Sequence, residues 1–391
     1  MSDLLNGRWQ ETKEALLEGL NGTRRSSMSV TLENTRKYLA ESASAGATSA
    51  GNVATLNRVI LPVIRRVMPT VIANELVGVQ PMTGPVGQIH TLRVRYSDTS
   101  ANAGVLAGEE ALSPFKIAAS YSGNETAATP RAGSTATLEG AAGKRMSIQI
   151  LKQVVEAKTR KLSARWTFEA AQDAQAQQGI DIEAEIMAAL AQEITAEIDQ
   201  EILGSLRSLA GTAVETYNQA AVSGTATFVG DEHAALAVQI NRAANLIAQR
   251  TRRGAGNYAV VSPLALTILQ SATTSAFART TEGTFEAPTN TKFVGTLNSA
   301  MRVYVDSYAS DGTGVLIGYK GSSESDAPAF YCPYIPLMSS GVVLDPSTFE
   351  PVVSFMTRYG YVELTNTASS LGNAADYLAN VAITSANVKF S

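Results

Sequence analysis

From residue 182 onward, Ile182, Ile186, Leu190, Ile194, Ile198 and Ile202 recur at every fourth position, the spacing that lines side chains up along one row of an α-helix. The pattern predicts a helix over residues 181–203, with Asp181 capping its first turn and Gly204 ending it. Each four-residue step advances about 40° around the helix, so over five steps the apolar row travels more than halfway round. One flat partner does not cover such a row, and the helix is expected to lie across a sheet. Glu193, Glu197 and Glu201 form a second row beside the apolar one, and no Lys, Arg or His occurs between Trp166 and Leu206. The acidic row therefore faces either water or a basic partner from elsewhere.

The chain before this helix is patterned more weakly. Leu5, Trp9, Leu16 and Leu20 share one face of a first helix closed by Asn21-Gly22, and Leu32 with Leu39 marks a second, short one. Residues 42–55 are Ser, Ala, Gly and Thr with almost nothing bulky and read as a flexible linker, so the first forty residues form an arm. Helical spacing resumes at Leu56, Val59, Ile60, Val63, Ile64, Val67, Val71 and Ile72. Pro62 and Pro69 cut it into a kinked, buried anchor. Residues 76–87 follow as a rigid corner, where Pro81 and Pro85 restrict the preceding residues and Gly78, Gly84 and Gly87 admit unusual backbone angles. A phosphate-binding role for this corner lacks both the P-loop lysine and a following helix, which leaves it a hinge.

Next, Leu92, Val94 and Tyr96 alternate with Thr91, Arg93 and Arg95, a strand with one apolar and one basic face. A matching strand returns at Met146, Ile148 and Ile150. Between them, residues 97–143 hold too few bulky side chains to bury a core of their own, so the segment reads as a long hairpin arm with a loose tip. The returning limb is basic, with Lys144, Arg145, Lys152, Lys158, Arg160, Lys161 and Arg165. A nucleic-acid site would interleave aromatics among these cations, and none are there, so a protein partner fits better. Residues 168–178 predict a short helix. Asp231 and Glu232 open another, with Leu236, Ile240, Ala243 and Ile247 on one face and Arg250, Arg252 and Arg253 at its end, charges that suit the helix dipole. Gly254 and Gly256 stop it; residues 258–261 form a buried strand, and Ser262-Pro263 starts a helix through Leu269. Residues 301–305, residues 315–319 and the alternating Val353, Phe355, Tyr359 and Tyr361 supply later strands, the last long enough to pair against the 181–203 helix region. Gly312, Gly314 and Gly318 resemble a nucleotide fingerprint only loosely and, without its strand-before and helix-after context, read as turn glycines. There is no internal repeat.

Composition narrows the function. A chain of 391 residues has room for two to three domains with real cores. Cys332 is the single cysteine, which removes intramolecular disulfides and thiolate clusters and fits a reducing compartment. His90 and His233 are the only histidines and lie far apart in sequence, which argues against His-based acid–base catalysis and His-rich metal sites; no cofactor is expected. The net charge of -4 and pI near 5.5 leave no electrostatic footprint for nucleic acid. Residues 59–77 are apolar but broken by Arg65, Arg66, Glu75 and two prolines, so they do not span a membrane. Residues 1–22 lack a signal-peptide layout, and a soluble protein made in the cytoplasm is expected.

The run Gln80-Pro81-Met82-Thr83-Gly84-Pro85 within residues 76–87, followed by residues 92–96, resembles the major capsid protein of T-even-type tailed bacteriophages. The likeness continues in order through Arg160-Lys161-Leu162, Ala170-Ala171-Gln172-Asp173, Gly179-Ile180-Asp181 with Glu183-Ala184-Glu185, Gly318-Tyr319-Lys320-Gly321, Tyr331 with Pro333-Tyr334, and Thr357-Arg358-Tyr359-Gly360. It implies an α+β chain with the tailed-phage major capsid protein fold: an N-terminal arm and anchor (1–87), an E-loop hairpin (88–158), a P-domain on a long spine helix (159–209, completed by strands near 350–391) and an A-domain (210–349). It further implies a structural subunit, not an enzyme, that self-assembles as hexamers and pentamers into an icosahedral shell around double-stranded DNA without sequence-specific binding. Cement or decoration, portal and scaffold proteins are the implied partners, the virion head is the location, and assembly takes place in the host cytoplasm. Two rival readings stand beside it: an encapsulin-like cellular nanocompartment shell of the same fold, distinguished by cargo enzyme in place of DNA, and an enzyme, for which no constellation is visible. The hairpin segment is too poor in apolar residues for the insertion subdomain some relatives carry, which points to a separate cement protein. Since the family lays the E-loop of one subunit over the spine helix of the next, Arg93, Arg95, Lys144 and Arg145 are candidate partners for Glu193, Glu197 and Glu201 of a neighbour. Leu39-Ala40-Glu41 resembles the Leu-x-Glu sequence cut by prohead proteases of these phages and makes Glu41 a candidate processing site at the edge of the predicted linker.

Overall fold

The computed structural model describes residues 9–10, 13–14, 17, 22–44, 72–101, 103–109, 111, 120–123, 132–140, 142–178, 182–219, 229–251, 253–272, 277–279, 292–298, 300–310, 312–324, 326–348, 350–364 and 374–385. In chain order the elements begin with α1 (Gly22–Ser44), α2 (Ala73–Leu76), β1 (Gly78–Val79), β2 (Val86–Tyr96), α3 (Thr135–Leu138), β3 (Met146–Glu156) and β4 (Lys158–Arg165). There follow α4 (Phe168–Gln178), α5 (Ile182–Ala210), β5 (Glu215–Asn218), α6 (Val229–Thr251), β6 (Tyr258–Val261) and α7 (Pro263–Ser271). The chain then runs through β7 (Phe277–Arg279), β8 (Lys292–Leu297), β9 (Met301–Val305), β10 (Val315–Gly318), β11 (Ala329–Ser339) and β12 (Val343–Leu344). It closes with β13 (Pro351–Glu363), a 3-10 turn (Ala374–Tyr377) and β14 (Leu378–Ser385). The chain divides into two compact units, one of residues 1–87, 155–205 and 329–362, the other of residues 88–154, 206–328 and 363–391.

The first unit is built on a five-stranded sheet. β1 runs parallel to β11, β11 lies beside β13, and Val352 of β13 faces both Val343 of β12 and Arg165 of β4, so β12 and β4 occupy opposite edges of it. Burial along β13 alternates from Pro351 to Tyr359, the period expected of a strand with one covered face. β11 was not predicted, and it contains Pro333 and Pro336, a residue type depleted inside sheets. The ladder tolerates Pro333 because it is used there as an acceptor: the Met82 amide donates to its carbonyl at 3.0 Å, just after Gln80 N donates to Tyr331 O at 3.0 Å. In α5 the predicted apolar row is buried from Leu190 through Ile194, Ile198 and Ile202. The helix does not end at Gly204, which is exposed with open space around it. It continues to Ala210 and stops at Gly211, whose φ of +64° suits a left-handed cap. Burial of Leu203 and Leu206, each 0 % exposed, outweighs the cost of about 1 kcal/mol for a glycine inside a helix. The second helix of the arm is likewise longer than expected, 23 residues from Gly22 to Ser44, and absorbs the start of the predicted linker. The proline-kinked anchor lies outside the described residues, apart from Ile72.

The second unit carries a seven-stranded mixed sheet in the order β5-β14-β10-β6-β9-β8-β7. Parallel pairs join β5 to β14 and β6 to β9, and the remaining neighbours are antiparallel. The predicted face of α6, Leu236, Ile240, Ala243 and Ile247, is buried in one core with Val261, Ile268, Val303, Ile317 and Val381. The Ser262 hydroxyl caps α7 by accepting from Ala265 N at 3.3 Å, with Pro263 as the first helical residue. Gly314 and Gly318 are not turn glycines. A Cβ on Gly318 would come 2.2 Å from the Tyr258 ring, and one on Gly314 would come 2.2 Å from Val381 O, so both mark close approach inside the sheet. β14 belongs to this sheet, whereas β11, from the stretch assigned to the A-domain, joins β13 and β4. Which sheet takes a given strand depends on long-range pairing and not on its place in the chain.

β2 and β3 form the predicted two-stranded hairpin. Its connecting segment does bury a small core, contrary to expectation: Tyr96, Val105, Ala111 and Tyr121 are each at most 6 % exposed, with Val94 and Ala103 packed against them. Two tyrosines supply the area, their ring centres 4.6 Å apart, in a stretch dominated by small residues.

Candidate assembly interface

The acidic row on α5 is divided by what the fold sets beside it. β4 pairs with β13 so that Arg160 lies opposite Thr357, two residues from Tyr359. From there the guanidinium donates Nη1 to Glu197 Oε2 at 2.6 Å, Nη2 to Glu201 Oε2 at 2.5 Å and Nε to the Tyr359 hydroxyl at 2.6 Å. The same hydroxyl donates to Glu201 Oε2 at 2.5 Å, which closes a ring of charge-assisted bonds. Burial by itself would raise the Glu201 pKa, but the bonds from Arg160 and Tyr359 outweigh it and hold the carboxyl below its usual value. For Arg160, desolvation is likewise outweighed by Glu201 and Tyr359, and its pKa rises. Tyr359 is pushed up, first by burial and then by Glu201. Two of the three acids therefore have an in-chain cation, and Glu193 stays exposed. Because α5 runs on to Ala210, these acids also lie further from the negative end of the helix dipole than the sequence implied, and Arg207 occupies the last turn. Asp199 is 3 % exposed and accepts from Ile72 N at 2.9 Å.

The hairpin cations are also partly engaged within the chain. Arg145 donates its backbone N–H to Asp98 Oδ2 at 2.8 Å and places Nη2 at 3.3 Å from Oδ1, and its carbonyl accepts from the Tyr121 hydroxyl at 2.6 Å. Those bonds, the backbone one foremost, lower the Asp98 pKa. Lys144 Nζ donates to Thr99 O at 2.9 Å and lies 5.9 Å from the Tyr121 ring centre. Lys144 and Arg145 thus clamp the base of the connecting segment around Tyr121. Arg95 sits half-buried in β2, and Arg93 lies in the same strand. β3 leaves an apolar stripe in the open: Met146, Ile148, Ile150 and Val154 are 51, 68, 66 and 51 % exposed. Glu41 lies in the last turns of α1, so cleavage there requires the helix end to unwind, and residues 45–55 of the predicted linker lie outside the described residues. His90 is exposed, and His233 is buried with Nδ1 hydrogen-bonded to Ser271 Oγ.

Sequence reasoning missed Tyr359 as the acceptor that orients Arg160. Both residues had been picked out, one in a basic run and one in an alternating strand, but their pairing depends on strand register. It also missed the ion pair of Arg207 Nη2 with the fully buried Asp306, 2.9 Å from Oδ2, and Asn34, whose 6 % exposure carries no sequence signal.

A family model described as "Major capsid protein Gp23" matches residues 53–388. The chain belongs to this family. Curated major capsid proteins of Vibrio phage KVP40 and Enterobacteria phage T4 are each 31 % identical to it, the first over 85 % of this chain and 82 % of its own length, the second over 83 and 78 %. Among solved structures, one titled "Microbacterium phage Oxtober96" aligns at 12 % identity and a TM-score of 0.47 over 80 % of this chain and 90 % of that one. Another, titled "The capsid of Myoviridae Phage XM1", aligns at 11 % identity and 0.44 over 80 and 92 %. The identification rests on the family model and the curated relatives. It bears out the resemblance carried by residues 80–85 and the α+β capsid fold expected from it. A major capsid protein of tailed phages is a component of the virion head, and the relatives named are phage proteins, which disfavours the cellular nanocompartment.

Proposed function

We propose that this major capsid protein associates with copies of itself as hexamers and pentamers into an icosahedral head around double-stranded DNA, assembling in the host cytoplasm without catalytic chemistry of its own. The family match over residues 53–388 carries the reading. The exposed stripe of Met146, Ile148, Ile150 and Val154, with Val342, Val343 and Leu344 at 42, 56 and 45 % exposure, supports it as apolar surface that a single subunit leaves wet. In this reading residues 1–87 form the arm and anchor, 88–158 the E-loop, 159–209 with β13 the P-domain, and the seven-stranded sheet the A-domain. Cement, portal and scaffold proteins are its partners. Glu193 meets a hairpin cation, Arg93 or Arg95, of the neighbouring subunit, with Lys144, Arg145, Glu197 and Glu201 at the rim of the contact and Glu41 the processing position. Electron microscopy of the purified protein tests the reading: closed shells support it, and a monodisperse monomer at high concentration overturns it. For the contact itself, Glu193→Lys is expected to weaken assembly at low salt and to lose that effect at high salt, since exposed pairs are worth about 0 to 1 kcal/mol each. Assembly indifferent to both leaves Glu193 a solvated residue.

A further inference from the structure

α4 and the start of α5 are helical without a covered face. α4 begins on a cap, the Thr167 hydroxyl accepting from Ala170 N at 3.3 Å, yet of its described side chains only Ala171 is half-buried and the others, from Phe168 to Ala176, are exposed. Nothing in the first two turns of α5 is buried either: Ile182, Ile186 and Met187 are half-buried, and Leu190 is the first residue of that helix to be covered. An eleven-residue helix with no buried face is marginal in water. Glu169 and Asp173, four apart on one side of α4, weaken it further by repulsion.

The neighbouring charges indicate what covers it. Residues 144–165 hold seven cations and one acid, Glu156, whereas residues 166–206 hold nine acids and no cation. Within the chain Glu197 and Glu201 take Arg160 and Asp199 takes Ile72 N, but Glu169 and Asp173 have no ion-pair partner among the described residues. Side chains alternate along β4, so the strand that turns Arg160 toward α5 turns Lys161, Ser163 and Arg165 the other way, and all three are exposed. Lys161 has no ion pair among the described residues, and Arg165 Nε lies 3.8 Å from Glu350. An uncovered acidic helix thus follows an uncovered basic strand face after two residues of chain.

We propose that α4 with the first two turns of α5 is an interface for a second copy of this chain: Glu169 and Asp173 of one copy meet Lys161 and Arg165 of the other, and the same contact covers Ile182, Ile186 and Met187. The proposal rests on the shell-subunit reading above and names a contact which that reading leaves open. A second copy fits better than a separate basic protein because each chain carries both halves, so the docking of two copies offsets both charge excesses together and repeats throughout an assembly.

The experiment uses the full chain and three variants: Glu169→Lys with Asp173→Lys, Lys161→Glu with Arg165→Glu, and all four substitutions together. Particles are counted by electron microscopy at low salt. Each double variant by itself is expected to lower the yield by about fivefold or more. An equal mixture of the two, and the chain carrying all four, are expected to return to the wild-type yield, because opposite charges face each other again. Rescue in the mixture excludes misfolding as the cause of the loss. In particles built from isotopically light and heavy wild-type copies, carbodiimide is expected to join Lys161 to Glu169 or Asp173 across the two labels. Double variants that assemble like wild type, a loss that neither combination repairs, or crosslinks confined to one label overturn the contact and leave the shell reading standing. A wild-type chain that forms no particles overturns the shell reading, and this contact with it.

Discussion

Replacing Arg160 with methionine is expected to loosen the join between β4 and α5. The substitution keeps most of the apolar stem and deletes three donors at 2.5 to 2.6 Å: two to carboxylates and one to Tyr359, which is 4 % exposed. Side-chain exposures of 31 % for Arg160, 45 % for Glu197 and 38 % for Glu201 place both ion pairs within reach of solvent, so each is held to about 0.5 to 1 kcal/mol. The bond to the buried hydroxyl adds about 1 kcal/mol, and the two acids left facing each other at i, i+4 add a few tenths. The expected loss is about 2 to 3 kcal/mol, read as a lower urea midpoint and as faster amide exchange across β4 relative to β9 in the other unit. Tyr359→Phe, which removes one acceptor and one donor from the same ring, is expected to cost about 1 to 2 kcal/mol. In a double-mutant cycle the two should couple, with the double variant less destabilised than the sum. Because Glu201 has a lowered folded pKa, the contribution of this ring is fully present above the ordinary carboxylate range and is lost as pH falls through the folded value. A change below about 0.5 kcal/mol for Arg160→Met, or strict additivity with Tyr359→Phe, would refute the account and make the ring a surface ornament of the fold.

Arg207→Met removes the cation beside the carboxylate of Asp306, which is 0 % exposed and also accepts from Tyr308 N, and is expected to cost about 3 kcal/mol, most of it recovered by adding Asp306→Asn. Thermal unfolding of the three variants checks this, and a double variant no better than the single one is the contrary result. Gly318→Ala drives a Cβ into the Tyr258 ring and is expected to cost about 1 to 3 kcal/mol, whereas Gly312→Ala, with open space around it, is expected to be near neutral; similar midpoints for the two would count against the packing described. His233 is buried, with Nδ1 on Ser271 and no partner for Nε2 among the described residues, and burial lowers its pKa against a smaller opposing pull from Glu232. Its unfolded state therefore binds the extra proton first, so stability is full above about pH 6.5 and declines below it. His233→Gln is expected to flatten that decline between pH 7.5 and 5.5 in urea titrations, and an unchanged slope would assign the acid sensitivity elsewhere.

Periodicity located α5, α6 and the β2–β3 hairpin, because a repeated apolar spacing has few other uses, and β6 and β9 were legible as short apolar runs. The Ser262-Pro263 start of α7 was equally legible, since capping is a contact among residues three apart. Local signals failed where distant packing outvoted them. Gly204 reads as a helix stop until Leu206 is buried beyond it, and Gly318 reads as a turn until a tyrosine ring fills the space beside it. The candidate interface divides the same way. Charge and spacing marked Glu193, Glu197 and Glu201 as a row in need of cations, but a one-residue shift in the pairing of β4 with β13 would turn Arg160 to the other face of the sheet, and register is a property of strands nearly two hundred residues apart. The sequence by itself determined which residues require a partner; the tertiary structure decided which partner they have, because that choice depends on pairings the local chain does not encode.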